Sequence, residues 1–333
     1  MSEKGMEDHA VSSSTEIKVW KRKLLCAAGG LLLDHMLGEP PFTPHPVACY
    51  GRLTRALEGL WWSDNRFMGA LHAACGVFVA ALAAKAVGSA TLGTYLACAG
   101  KALRQEALEV AALLERGDLQ GARARLPALV GRDVQDLDES QCIRAVIESL
   151  AENTVDALVA PCLWAAAGGA TGALAYRGIN TLDAQVGYKD ERYRSFGWAS
   201  ARLDDVANIV PARLTMILVM AARPLRALAV LRSVRLHWRN HPSPNAGVAE
   251  AAFAGALEVR LGGPSTYRLK VEERPFIGLG RQPELCDIYA GVRLCSDVQV
   301  VLGAILTLAG LPYSKENRLS GSIGRAGMIW SAS

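Results

Sequence analysis

Apolar stretches and charged blocks alternate along this chain of 333 residues. The apolar stretches are long enough for helices, whereas no strict alternation of apolar and polar residues stands out and no repeat period is visible. The pattern therefore predicts an all-α fold, with multi-pass membrane helices. The apolar stretches are residues 20–37, 67–84, 86–100, 157–176 and 298–311.

Proline and glycine interrupt this pattern. The segment GEPPFTPHPVACYG, residues 38–51, cannot be helical throughout, because its four prolines lack amide donors and push the preceding residues into extended geometry. Residues 67–100, interrupted by Lys85, fit either one long membrane helix or a helical hairpin. Within residues 157–176, Pro161, Gly168 and Gly169 favour two half-helices that meet inside the protein, as a broken or re-entrant pair.

The charged blocks predict the organisation of the chain. Residues 101–154 carry both charge signs at helical spacing, which predicts a water-exposed helical insertion on the cytoplasmic side. Five arginines between residues 223 and 239 predict a helix on lipid headgroups. Residues 1–16 are expected to form a disordered leader, residues 17–311 a single membrane domain, and residues 312–333 a tail.

Composition supports a membrane protein. Hydrophobic residues make up 51% of the chain, charged residues 20%, and the mean hydropathy is +0.17. An alanine-rich soluble helical enzyme is the alternative. The net charge of +4 and the lack of a long basic run argue against nucleic acid as a partner. The eight cysteines contain no C-x-x-C pair and do not indicate zinc.

A helical row of carboxylates is the first candidate for chemistry. In RAVIESLAENTVDALVAP, Glu148, Glu152 and Asp156 recur every four residues and share one helix face. Like charges at this spacing repel one another by about 0.2–0.5 kcal/mol per pair, so a divalent metal or arginines should offset them. The alternative is a solvated acidic stripe.

The second candidate is residues 178–214, GINTLDAQVGYKDERYRSFGWASARLDDVANIVPARL. Its carboxylates and amides offer hard oxygen ligands and its cations bind phosphate, a mixture that suits a magnesium-bound phosphate. A purely structural salt-bridge network is the alternative. The residues concerned are Asn180, Asp183, Lys189, Arg202, Asp204, Asp205, Asn208 and Arg213.

The third candidate block is residues 241–264, where His241, Ser243, Asn245 and Glu250 surround two prolines. Asn245 either caps the following helix or faces a ligand. No P-loop, G-x-G-x-x-G turn, G-x-S-x-G elbow or H-E-x-x-H motif is present, so any ATP is not bound by a P-loop.

Two residues in the first part of the chain also qualify. Asp34 lies inside an apolar stretch, where an ionisable residue is a candidate for function. His45, in PPFTPHPV, is either a packed loop residue or a substrate ligand.

These blocks together resemble the CbiB/CobD family of cobalamin biosynthesis, the adenosylcobinamide-phosphate synthases. The resemblance covers about residues 24–311, in the order of the family's own blocks. It rests on LLLDHMLGEPP with HPV, VGRD, IESLAENTVDALVAP, AYRGINTLDAQVGYKDERYRSFGWASARLDDVANIVPARL and HPSPNAGVAEAAFAGALEVRLGGP.

The resemblance implies an inner-membrane enzyme that joins aminopropanol or its O-phosphate to the free propionate carboxyl of adenosylcobyric acid. Amide formation from a carboxylate is uphill in water, so ATP is the expected co-substrate and Mg²⁺ the expected cofactor. Other late cobalamin-pathway membrane enzymes are possible partners.

The same resemblance suggests residue roles. Glu152, Asp204 and Asp205 are expected to hold the metal, and Lys189, Arg202 and Arg213 to stabilise charge on the transferred phosphoryl group. Asp156 or Asp183 is expected to take the proton from the attacking amine. The expected substrate-binding residues are Asp34, His45, Arg132, Asn153, Asn180, Asn208, His241 and Asn245.

Topology and competing functions complete these expectations. The basic cluster Lys18, Lys21, Arg22 and Lys23 places the N-terminus in the cytoplasm if the first apolar stretch is a signal anchor, and we expect about four to six crossings. A re-entrant segment at residues 157–176 would then return the charged cluster to the cytoplasm. A non-catalytic membrane regulator of the same fold is the main alternative, and a transporter is a third.

Overall fold

Helices dominate the computed structural model, which describes residues 3–40, 45–131, 133–263, 265–267, 270–272 and 275–312. This confirms the all-α prediction. The longer helices are α1 (Glu3–Leu37), α2 (Pro46–Trp61), α3 (Arg66–Val87), α5 (Gly100–Glu115), α7 (Glu139–Thr154), α8 (Ala160–Val186) and α13 (Leu285–Gly310). The shorter ones are α4 (Ala90–Ala97), α6 (Leu119–Arg125), α9 (Trp198–Ala207), α10 (Ile209–Ala222), α11 (Ala227–His237) and α12 (Pro244–Leu257).

Four short strands accompany the helices. β1 (Leu261–Gly262) pairs with β4 (Phe276–Ile277), and β2 (Ser265–Tyr267) pairs with β3 (Lys270–Glu272), both antiparallel. Strands of two or three residues are too short for a two-residue alternation to be visible in the sequence. The pattern of apolar and polar residues therefore does not predict these strands.

Local signals explain where several helices begin and end. Asn65 caps α3 by accepting a hydrogen bond from the backbone N–H of Phe67, and Gly88 ends the helix with a φ of 66°. The break between α3 and α4 thus falls at residues 88–89, so residues 67–100 are not one long helix. Gly38 and His45 flank the proline loop outside the helices, while residues 41–44 lie outside the described part of the chain.

The start of the chain differs from the expected disordered leader. Helix α1 begins at Glu3, inside residues 1–16, and continues to Leu37. It packs antiparallel to α13, because the Lys21 Nζ donates to the carbonyl of Leu311 and the His35 Nδ1 lies 3.2 Å from the Oε1 of Gln299. The expected tail begins at residue 312, and residues 313–333 lie outside the described part.

Helix α7 lies at the centre of the core, not on a water-exposed insertion. Most of its side chains are buried, including Ile147 and Leu150, and it packs against α5, α12 and α13. It also continues through a π-helical turn, Val155–Val159, directly into α8. The charges of residues 101–154 therefore mark helix faces, and α7 is part of the membrane domain's own core.

The chain reverses direction inside α8. Gly169 has φ 63° and ψ −145°, a backbone conformation open essentially to glycine alone. A Cβ placed on Gly172 would lie 2.1 Å from the backbone oxygen of Trp164, so the two sides of the break lie against each other. The Tyr176 hydroxyl also returns to within 3.1 Å of Asp156. The predicted broken helix is present, with its break at Gly169 and not at Pro161.

Three helices are long and apolar enough to cross a membrane, by length and composition: residues 66–87, the continuous run 139–186, and residues 285–310. Helices α9 and α10, bent by 42° at their junction, make a fourth if they are counted as one span. These findings support a membrane protein with three candidate spans in the described residues, or four if the bent pair is counted, at the lower end of the four to six crossings expected. The run 139–186 counts as one candidate here although its chain reverses at Gly169.

Two of the arginines predicted to meet lipid headgroups have protein partners instead. The Arg223 Nη1 lies 2.6 Å from Asp297, and the Arg226 Nη1 lies 2.5 Å from Glu258. Arg232 and Arg235 are exposed on α11. Arg239, which follows α11, is exposed as well and lies 4.9 Å from the ring of Trp238. The headgroup prediction therefore remains a prediction for these three arginines.

Candidate functional site

Four carboxylates from three parts of the chain meet in one pocket. Glu152 comes from the end of α7, Asp156 from the π-helical turn, Asp183 from the second half of α8, and Asp204 from α9. The N-terminus of α12 closes the pocket with Ser243, Asn245 and Ala246, and Asn208 lies in its wall. The reversal at Gly169 makes this meeting possible, because it brings Asp183 back towards the π-helical turn.

Asn208 links two of these carboxylates. Its Nδ2 donates to Oδ1 of Asp156 at 3.1 Å and to Oδ2 of Asp204 at 3.0 Å. The buried Tyr176 hydroxyl lies 2.9 Å from the Oδ1 of Asn208 and 3.1 Å from Oδ1 of Asp156, so it donates to one of them at a time. The Nδ2 of Asn180 approaches Asp204 from α8 at 3.5 Å. Neutral donors thus hold these acids in place.

Asp183 differs from Asp156 and Asp204 because no such donor among the described residues holds its carboxylate. Its carboxylate makes no hydrogen bond to a side chain or N–H group in the described part of the chain, although it lines the pocket. Gly187 gives it room, because a Cβ at that position would lie 1.9 Å from Oδ1 of Asp183. This oxygen is therefore available to a ligand.

Arg213 and Asn245 form the pocket's edge. The Arg213 Nη1 donates to the Oδ1 of Asn245 at 2.5 Å, and the guanidinium lies 6.0 Å from the ring of Trp238. The Asn245 Nδ2 donates to the backbone oxygen of Asp205 at 2.7 Å. Ser243, not Asn245, caps α12, because its side chain accepts from the N–H of Ala246. Asn245 is therefore a linking residue with its side chain at the site.

His241 connects the pocket to a fifth carboxylate, that of Glu250. Its Nε2 lies 3.6 Å from Glu152 and 3.6 Å from the buried Glu250. The Nδ1 lies 3.0 Å from the backbone nitrogen and 3.1 Å from the backbone oxygen of Ser243, so this side of the ring is held by the backbone of Ser243 while Nε2 faces the glutamates. His241 thus positions Glu152 from behind.

The comparisons with known proteins decide the family. The family model described as "CobD/Cbib protein" matches residues 27–295. The chain belongs to this family. It is 43% identical over 311 residues to "Cobalamin biosynthesis protein CobD" of Mycobacterium bovis, covering 89% of this chain and 98% of the relative.

Other relatives of the same name confirm the match. The protein of Pelobacter propionicus is 44% identical over 269 residues, covering 74% of this chain and 83% of its own. That of Clostridium perfringens is 37% identical, covering 78% of this chain and 89% of its own. No solved structure matches the chain. Membership in the family makes this a cobalamin biosynthesis protein, and corrinoid-related molecules are its expected substrates.

Several predicted site residues lie away from the pocket. Lys189 is exposed in the segment after α8 and does not line the pocket. The Arg202 side chain is 68% exposed and pairs with Asp205 at 3.7 Å, and neither residue lines the pocket. Among the described lining residues there is no lysine or arginine. The predicted mixture of acids and cations is therefore mainly an acidic pocket with one arginine, Arg213, at its edge.

Three further candidates have local partners. The buried Asp34 accepts from the Nε2 of Gln299 at 2.9 Å, between α1 and α13. The His45 Nδ1 accepts from the N–H of Val47 and caps α2. Asn153 donates to the backbone oxygen and hydroxyl of Ser149, one turn earlier in α7. Arg132 lies outside the described residues.

The acidic row on α7 divides. Glu152 and Asp156 face the pocket, whereas Glu148 is buried and accepts from the N–H of Gly262 in β1 at 2.8 Å. Sequence reasoning missed Tyr176 as a site residue because it ends an uncharged stretch. The one feature of the sequence that could have indicated Tyr176 is its position directly before a polar block, because a buried tyrosine hydroxyl needs a hydrogen-bond partner.

Proposed function

We propose that the chain joins aminopropanol, or its O-phosphate, to the free propionate carboxyl of adenosylcobyric acid at the expense of ATP. The observation that carries this proposal is the meeting of Glu152, Asp156, Asp183 and Asp204 in one pocket. The family supplies the corrinoid pathway, and the pocket supplies groups suited to an amide-forming reaction. A phosphate-bearing substrate needs a counter-charge in such a pocket, and the reacting amine needs a base.

The pocket has room for only the reacting ends of the substrates. Its volume is about 170 Å³, below the roughly 300–1,000 Å³ of typical ligand pockets. A corrin ring and a nucleoside must therefore lie outside it, with the propionate carboxyl and the terminal phosphate reaching inwards.

The donor set of the pocket fits Mg²⁺. Carboxylate and amide oxygens are the ligands that magnesium prefers, and a cation would offset the charges of the four carboxylates that line the pocket. Glu152, Asp156 and Asp204 would hold the ion, because the Asp205 side chain lies outside the pocket. When bound, magnesium neutralises charge on the phosphate oxygens of the nucleotide.

The chemistry divides into two steps. A carboxylate oxygen of adenosylcobyric acid takes the γ-phosphoryl group of ATP, ADP leaves, and the amine nitrogen then attacks the acyl carbon while phosphate departs. Asp183 accepts the amine proton, since its carboxylate is not held by side-chain donors. Arg213 stabilises the transferred phosphoryl group from the pocket edge, and Asn180 and Asn208 orient Asp204.

A reconstituted reaction tests this function. Purified protein in detergent is incubated with adenosylcobyric acid, Mg-ATP and each amine in turn, and the new amide is detected by mass. We expect amide with at least one amine and none without ATP. Corrinoid binding with no product from either amine would contradict the proposal and favour a membrane regulator.

We further infer that residues 157–176 form a re-entrant hairpin and that the pocket faces the cytoplasm. The reversal at Gly169 supports the inference. Single cysteines at Ser195 and Ser243 are labelled from each side of the membrane, in a chain whose accessible cysteines at 26, 49, 75 and 286 are changed to serine. We expect both to react from the cytoplasmic side. Reaction of either one only from the periplasm would contradict this placement.

A further inference from the structure

An apolar groove runs between α1 and α13 and shares no lining residue with the acidic pocket. Its volume is about 690 Å³, and apart from His35 and Gln299 at one end its lining is almost entirely apolar. Ala28, Gly29 and Gly303, which have little or no side chain, lie among its lining residues together with the exposed Leu25, Leu32 and Leu308. Since α13 is a candidate membrane span, the groove opens where lipid would lie.

The length of the groove matches one hydrocarbon chain. Its lining on α1 runs from Leu25 to His35, ten residues at about 1.5 Å each, or roughly 15 Å. The hydrocarbon core of a bilayer is about 30 Å thick, so one acyl chain of one leaflet reaches about this far. A slender acyl chain also fits a groove lined by glycine and alanine better than a bulky side chain would.

Basic residues lie near the Leu25 end of the groove, and their charge indicates which lipid headgroup would bind there. One turn beyond Leu25 the Lys21 ammonium binds the carbonyl of Leu311, and Lys18 and Arg22 are exposed on the same helix. Basic residues next to an apolar groove between helices attract anionic lipid headgroups. At the opposite end, His35 and Gln299 are bonded to each other and to Arg104, whose charge is offset by the buried carboxylate of Asp34 on the other side of Gln299. The excess of positive charge thus lies at the Lys21 end.

We propose that this groove is a binding site for an anionic phospholipid, with one acyl chain between α1 and α13 and the phosphate beside Lys21 and Arg22. A neutral lipid would gain the apolar contacts only, whereas an anionic one also gains the basic contacts. The site is independent of the proposed reaction.

Native mass spectrometry of the full-length protein tests the site. The protein is exchanged into detergent containing phosphatidylglycerol or phosphatidylcholine, and retained lipid is counted per chain. We expect one tightly retained phosphatidylglycerol and weaker retention of phosphatidylcholine. Gly303→Leu should abolish retention by filling the groove, since a Cβ there meets only a Leu31 methyl at 3.9 Å.

Charge reversal tests the headgroup contact. Lys21→Glu should weaken phosphatidylglycerol retention at least about fivefold, the value of one basic residue near an anionic surface, and leave phosphatidylcholine unchanged. Lys85→Glu on α3 and Gly59→Leu on α2 are matched controls, since both positions are away from the groove. Equal retention of both lipids, retention that survives Gly303→Leu, or a dimer that Gly303→Leu dissociates would each overturn the proposal.

Discussion

Replacement of Asn208 by alanine should lower the free energy of unfolding more than the same replacement of a comparable asparagine in this region. Asn208 is 2% exposed and donates to Asp156 and Asp204 at 3.1 and 3.0 Å. A hydrogen bond to a charged group is worth about 1.5–3 kcal/mol, which gives roughly 3–6 kcal/mol for the pair. Water in the pocket can replace part of this, so we expect a loss of about 3 kcal/mol.

The assay is thermal unfolding in detergent, followed by tryptophan fluorescence. At about 2 °C per kcal/mol for a chain of this size, Asn208→Ala should lower the unfolding temperature by roughly 6 °C. Added Mg²⁺ should raise the unfolding temperature of this variant more than that of the wild type, because a cation can offset the carboxylates that have lost their shared donor.

Asn153→Ala is the matched control. Asn153 also donates two hydrogen bonds, but both go to Ser149 within its own helix, and its side chain is partly exposed. We expect a loss of less than about 1 kcal/mol. Equal shifts for the two variants would refute the reasoning that Asn208 holds the carboxylates together.

Two further pairs of neighbouring residues give sharp comparisons. Asp204→Asn should reduce amide formation by at least about a hundredfold, because this carboxylate is a proposed ligand of the ion that neutralises the phosphate. Asp205→Asn should leave the rate near that of the wild type, and similar rates for the two variants would contradict the assignment of the pocket. Gly169→Ala should lower the yield of folded protein in membranes, because alanine is strained at φ 63°. Gly168→Ala should be tolerated, since a Cβ there has open space; equal yields would show that the reversal at Gly169 does not need glycine.

The spacing of residues along the chain was enough to predict which acids belong to the site. It was not enough to predict that they come together in one pocket. A four-residue repeat places Glu152 and Asp156 on one helix face whatever the rest of the fold does. Whether that face lines a pocket depends on contacts distant in sequence, and β1 covers Glu148 alone. The role of Tyr176 likewise follows only from the reversal at Gly169.

The cations were the weakest part of the sequence-based prediction. Lysine and arginine side chains are long, and their neighbours in sequence do not determine which acid they meet. Arg202 lies three residues from Asp205 and pairs with it on the surface, and Lys189 is exposed. Arg213 reaches the pocket edge because α10 packs against α12, where Asn245 accepts its hydrogen bond. The family, in contrast, could be predicted correctly because the resemblance rests on whole blocks of sequence and not on the partners of single side chains.

The fate of one oxygen atom tests the central claim, that ATP activates the corrinoid carboxyl in this pocket. Adenosylcobyric acid labelled with ¹⁸O in its free carboxyl is converted with Mg-ATP and the amine, and the phosphate released is analysed by mass. We predict one ¹⁸O in inorganic phosphate for each amide formed, with ADP as the nucleotide product. Amide formation with unlabelled phosphate, or with the label in AMP, would contradict the account.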